Sequence, residues 1–352
     1  MMVKGIKMKK TLTLLTMTAS LAACVDHGHD SDHSHDHGDN SHQHSHSTDI
    51  TNDNVKDITG TIFTSRATNC AEYANEYTSN VKDVNENTAY AGRLKISLEN
   101  GQCVFNTNAI PNHDFNDGSR TFRNPVSEQD VTYTIPQSPK MSDKITELSL
   151  RADNAVFLNG VKLDLLAAGC FGVGDGFIGC GDTEQPFRFD PMSSLNSFGT
   201  DSHNAHTQPD GTYHYHGNPL AMFTASSKAA SPVIGFAADG FPIYGSYFDD
   251  NGTIRKAKSS YVLKNNGSLR ADVVFAGKTY SPGGSYDGQY VDDFKYDALA
   301  GGDLDECNGM TVDGHYGYYV TDAYPWVLKC FKGTPDDSFN KKRPTKGPKR
   351  KL

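Results

Sequence analysis

From about residue 58 to 335, short apolar runs alternate with turns rich in Gly, Asn, Asp and Pro, and long amphipathic helical patterns are scarce. Segments such as Arg93–Leu98, Val131–Ile135, Ala155–Leu158, Val233–Ala237 and Tyr316–Val320 have the apolar, β-branched and aromatic content that predicts strands. The pattern predicts a mainly β fold. It also repeats. AVFLNGVKLD (155–164) followed by DSHNAHTQPDGTYHYH (201–216) is echoed by IGFAADGFPIYG (234–245) followed by DECNGMTVDGHYGYYV (305–320). With one gap, Asp201 falls on Asp305, His203 on Cys307, Asn204 on Asn308, Thr207 on Thr311, and Asp210-Gly211 on Asp313-Gly314. The order of turn, strand, D-x-x-N and DG-strand is kept in both copies. This predicts a β-rich globular domain built from two related, disulfide-bonded halves.

The ends read differently. Lys4, Lys7, Lys9 and Lys10 precede the short, Thr-rich apolar stretch Thr11–Ser20, too short to span a bilayer, and Leu21-Ala22-Ala23-Cys24 follows. Residues 1–23 are expected to be a lipoprotein signal peptide, with Cys24 carrying the lipid. Val25, rather than Asp, favours an outer-membrane or cell-surface location in the bacterial envelope. Residues 24–58 read as a tether without apolar residues enough for a core. It holds eight of the 14 His, as the groups His27 and His29, then His33, His35 and His37, then His42, His44 and His46, interleaved with Asp, Ser and Gly. Neutral imidazoles on a flexible run suit transition metals at modest affinity, so the tether is expected to bind or buffer them. Residues 59–150 are expected to form an N-terminal β-rich region, 151–335 the duplicated domain, and 336–352 a basic disordered tail that could meet anionic envelope polymers.

Charge and cysteine content narrow the partners. The net charge of −9 hides an acidic body: 22 basic against 42 acidic residues remain once the Lys-rich ends (1–23 and 341–352) are set aside. That balance argues against nucleic acid. Of seven Cys, six remain after Cys24, an even number suited to an oxidising compartment. No CxxC spacing points to a metal site. Among 15 possible pairings, Cys170 with Cys180 and Cys307 with Cys330 each flank an expected hairpin, which leaves Cys70 with Cys103. GxSxG, Walker, dinucleotide and HExxH signatures do not occur, which disfavours serine hydrolase, NTPase, dehydrogenase and zincin chemistry.

The candidate chemistry lies in Gly211–Gly217, GTYHYHG. Period two puts His214 and His216 on one face of a strand and Tyr213 and Tyr215, read as core aromatics, on the other. His203 and His206 precede the Pro209-Asp210-Gly211 turn that could bring them alongside. Three or four imidazoles with an open position suit zinc or copper. His206, His214 and His216 are the expected ligands, His203 is auxiliary, and Asp201 is a fifth ligand or a group orienting an imidazole.

NAHTQPDGTYHYHGNP (204–219), GFAADGFPIYG (235–245), LDECNG (304–309) and PWVLKCFKG (325–333) together resemble the YHYH-domain proteins across about 155–335. Asn204, His206, Gln208, Gly211, Tyr213, His214, Tyr215 and His216 match the pattern, whereas His203, His315 and Gly317 depart from it. The resemblance implies the domain and strengthens the site but supplies no reaction. The expected function is a cell-envelope lipoprotein that binds metal ions through tether and motif. The alternatives are a metal-dependent hydrolase or oxidoreductase, and a surface polysaccharide-binding or adhesion protein with a structural metal.

Overall fold

Alternation organises the first sheet. In β2 (Asn75–Asp83) Ser79, Val81 and Asp83 are buried, and in β3 (Thr88–Glu99) Gly92, Leu94 and Ile96, while the residues between them face water. These strands stand in a five-stranded sheet, completed by β1 (Val55–Asp57) parallel to β2, and by β4 (Gln102–Thr107) and β5 (Val131–Pro136) on the far side of β3. The structure is a computed structural model and describes residues 55–118 and 120–341.

The second sheet has eight strands: β6 (Ala155–Phe157), β7 (Lys162–Leu163), β8 (Ala205–Thr207), β9 (Tyr213–Tyr215), β10 (Val233–Ala237), β11 (Pro242–Tyr244), β12 (Gly309–Val312) and β13 (His315–Tyr319). Their order is β12-β13-β11-β10-β6-β7-β9-β8. Read inward from either edge, an antiparallel hairpin meets a second hairpin through a parallel pair. The two halves join at the antiparallel β6–β10 pair, where Ala155 opposes Ala237 and Phe157 opposes Gly235. The sheet therefore has the pseudo-twofold order that the sequence repeat implies. The matching hairpin turns carry Asn159-Gly160 and Asp239-Gly240, with both glycines at positive φ, +82° and +88°.

One core serves both sheets. Phe105 of β4 packs against Phe236 of β10 with ring centroids 6.3 Å apart, and Thr107 donates to the Gly160 carbonyl at 3.0 Å. The segment before the repeat is thus part of the same packed body rather than a core of its own. All six body cysteines pair as expected: Cys70–Cys103, Cys170–Cys180 and Cys307–Cys330.

Two boundaries are corrected. Residues 55–58 do not belong to the tether, because β1 pairs with β2 and Ile58 is buried. The tail does not begin at 336. Asp337–Phe339 form a 3-10 turn, buried Phe339 stacks on Tyr133 at 4.6 Å, and Lys341 reaches Asp164. An aromatic anchor outweighs the polar context that suggested a solvated end.

Candidate metal centre

The register of the β8–β9 hairpin builds the site. His206 lies opposite His214, and strand alternation sets His216 beside His214 on the same face. The His216 Nε2 stands 3.0 Å from the His214 Nε2 and 3.0 Å from the His206 Nε2. The three ligand nitrogens all lie within 4.8 Å of one another. Three nitrogens bound tetrahedrally to zinc stand about 3.3 Å apart, so the cluster needs little adjustment to hold an ion.

The outer ring atoms fix the tautomers. His206 Nδ1 donates to the Phe198 carbonyl at 2.8 Å and His214 Nδ1 to the Thr212 carbonyl at 3.3 Å, leaving lone pairs on both Nε2 atoms. His216 alone has a proton to offer between them, yet its own Nδ1 is buried without a partner. One proton cannot serve three converging nitrogens well; a cation of the zinc or copper class can. Burial holds all three imidazoles below the ordinary value, and for His214 and His216 the neighbouring imidazoles add to it. The site is therefore neutral and ligand-ready at pH 7.

A buried ionic cluster adjoins the triad. Lys162 lies beside His214 across the parallel β7–β9 pair, and the Asp164 amide donates to the Tyr215 carbonyl. Lys162 Nζ bonds Asp153 at 2.9 Å and the Gln208 side-chain oxygen at 3.0 Å. Gln208 and Lys341 both donate to Asp164 Oδ2, while Oδ1 has no partner. The three imidazoles, with Asp164, Gln208 and Lys341 of this cluster, line a cavity of about 780 Å³.

The tyrosines face the other way and brace the hairpin. Tyr213 donates to Asp201 at 2.8 Å; Tyr215 donates to His113 Nε2 at 2.6 Å and accepts from Asn159 at 3.0 Å. Asp201 also accepts from the amides of Asn116, His203 and Ala205. Its carboxylate is thus consumed on the tyrosine face, and the expectation that it ligates or orients an imidazole is corrected. His203 packs on His113 with ring centroids 4.0 Å apart and is not among the converging nitrogens. Its loop carries it to the tyrosine side.

The second half keeps the braces and lacks the ligands. Asp305 accepts from the amides of Cys307 and Gly309 and from Tyr316, and Asp239 accepts from Tyr318. Where the first half has His206, His214, His216 and Asp164, matching registers place Met310, Gly317, Tyr319 and Tyr244. Tyr244 and Tyr319 stack at 4.9 Å. A Cβ at Gly317 would lie 2.5 Å from the Tyr244 ring, so the packing leaves no room for an imidazole there.

The expected lipid-bearing Cys24 lies outside the described residues. So do all eight tether histidines expected to take up metal: His27, His29, His33, His35, His37, His42, His44 and His46. The converging triad is therefore drawn wholly from the motif and its hairpin partner. The basic run from 342 also lies outside the described residues. Sequence reasoning missed His113, Lys162, Asp164 and Lys341. The buried KLD of the first repeat, facing PIY in the second, is the one signal that could have marked two of them.

Burial pushes His113 down to about 3. It stays neutral in the fold, while in the unfolded chain it protonates below about 6.5. Its contribution to stability is therefore complete above that value and is lost as pH falls from about 6.5 toward 3. Urea unfolding at pH 7 and pH 5 should differ by about 2 kcal/mol from this residue alone, at about 1.4 kcal/mol per pH unit. His113→Gln should flatten that slope, and an unchanged slope would refute the assignment.

A family model described as YHYH protein matches residues 132–333. No curated protein and no solved structure gives a match.

Proposed function

The chain belongs to the YHYH protein family, and from that premise we propose that it is a transition-metal-binding protein of the bacterial cell envelope, holding zinc or copper through His206, His214 and His216. The observation that carries the reading is the convergence of three Nε2 atoms, from the buried His214 and His216 and the half-buried His206, with two of the rings fixed through Nδ1 to backbone carbonyls. These residues bind and orient; Lys162, Asp153, Gln208, Asp164 and Lys341 set the polarity beside them. A bound ion of this class supplies Lewis acidity to whatever enters the cavity. Simple storage needs no cavity of about 780 Å³, so that space favours a metal-dependent enzyme as the second reading.

Export and anchoring belong to the same proposal. Leu21-Ala22-Ala23-Cys24 supports lipidation at Cys24 in the outer membrane or at the cell surface, and the six body cysteines suit an oxidising compartment. The histidines between His27 and His46 would gather ions for the motif site, and the basic run from 342 would meet anionic polymers.

Elemental analysis after exhaustive dialysis tests the reading. A chain lacking 26–48 should keep one firmly held ion, and His206→Ala, His214→Ala and His216→Ala should each lose most of it. Tyr213→Phe should keep it. Full occupancy in both His214→Ala and His216→Ala would mean that the motif is purely structural.

A further inference from the structure

The cavity above the imidazoles carries chemistry that a metal does not use. Arg120 and Arg123 line it, both are exposed and so stand at its mouth, and neither has an ion-pair partner among the described residues. Asp175 feels the Arg123 charge without pairing to it. Two free guanidinium groups stand out on a body with nearly twice as many acidic as basic residues. The wall formed by the Cys170–Cys180 loop is apolar and open: Phe177 and Ile178 are 48% and 57% exposed, and Phe198 meets the Phe177 ring at 6.0 Å. Asp164, buried beside the imidazoles, lines the same cavity, and its carboxylate disfavours a second anionic group there.

We propose that this cavity binds a small organic carboxylate with an apolar body, its carboxylate held at the mouth by Arg120 and Arg123 and its body laid against Phe177, Ile178 and Phe198. The guanidinium fork matches a carboxylate through paired N–H donors. A volume of about 780 Å³ lies within the usual range for a small-molecule site. The inference rests on the metal reading in one respect: the ion is what the inner end of the ligand would meet.

Calorimetric titration of the full chain, with its metal content measured on the same samples, tests this with octanoate and its neutral counterpart octanamide. Octanoate should bind at least tenfold more tightly than octanamide. The Arg120→Gln/Arg123→Gln double variant should bind octanoate at least tenfold more weakly, with octanamide affinity and metal content unchanged; both side chains are exposed, so folding is not at stake. No octanoate binding to a fully metal-loaded chain would overturn the proposal and leave the metal reading standing. Equal affinity for the two probes, or indifference to the arginines, would overturn it as well. Arginine-dependent octanoate binding in a chain that retains no ion would uphold the carboxylate site and count against the metal reading alone.

Discussion

Zinc added to the metal-free protein at about 1,000 times its dissociation constant is expected to raise the unfolding free energy by about 4 kcal/mol. In a body of this size that is a rise in Tm of about 7 °C. The gain arises because the unfolded chain has no preformed site, whereas the fold brings the Nε2 atoms of His206 and His214 each to 3.0 Å from that of His216. His214→Ala should abolish the shift, since two imidazoles remain and one loses its cross-strand partner. Thermal unfolding with zinc and with a chelator checks both statements. A full shift surviving in His214→Ala would place the responsible ion elsewhere. Acid should erase the shift too, as protons compete for the Nε2 atoms; their lowered proton affinity keeps that competition below the ordinary imidazole range.

Asp201→Ala should be the most damaging single polar substitution in the first half. It would strand the Tyr213 hydroxyl and the amides of Asn116, His203 and Ala205, all of which donate to this one carboxylate. Losing several buried hydrogen bonds to a charged acceptor costs about 3–5 kcal/mol. Asp305→Ala should cost less, because Asp305 is less buried and one of its contacts is the partly exposed Lys332. Urea denaturation of the two variants ranks them. A loss below about 1 kcal/mol for Asp201→Ala would remove it from the frame of the hairpin.

These two residues show where the sequence was informative. The D-x-x-N repeat was visible because both halves need the same brace: each Asp caps its own turn, and Asn204 and Asn308 both take positive φ, at +63° and +69°. The same repeat misled about chemistry. A carboxylate two residues from a histidine looks like a metal partner until the fold shows which face it serves. His214 and His216 were legible because period two is a local property of a strand. His206 followed from a short turn, two of the disulfides from the short loops expected between their cysteines, and Cys70–Cys103 as the remaining pair.

Asp164 and Lys341 were not legible, for a physical reason. Their pairing spans 177 residues, and Lys341 sits at the start of a basic run that resembles any solvated end. His113 stands alone in PNHDF and contacts Tyr215 102 residues away. Parallel pairing between β7 and β9 brings Lys162 beside His214, and no local periodicity encodes a parallel partner. The ligand set was local and the cavity was not.

That contrast has a consequence for the order in which the site can be assembled. His206 and His216 are ten positions apart and meet across one hairpin, whose closure costs little chain entropy. Gln208 meets Asp164 across 44 positions and Lys341 meets it across 177, so the cavity floor waits on long-range contacts that form slowly. An ion present during folding can therefore be captured by the hairpin before the chamber around it is complete. Metal would then act as a staple on a partly folded chain, and refolding with zinc should accelerate the steps that precede docking of 336–341.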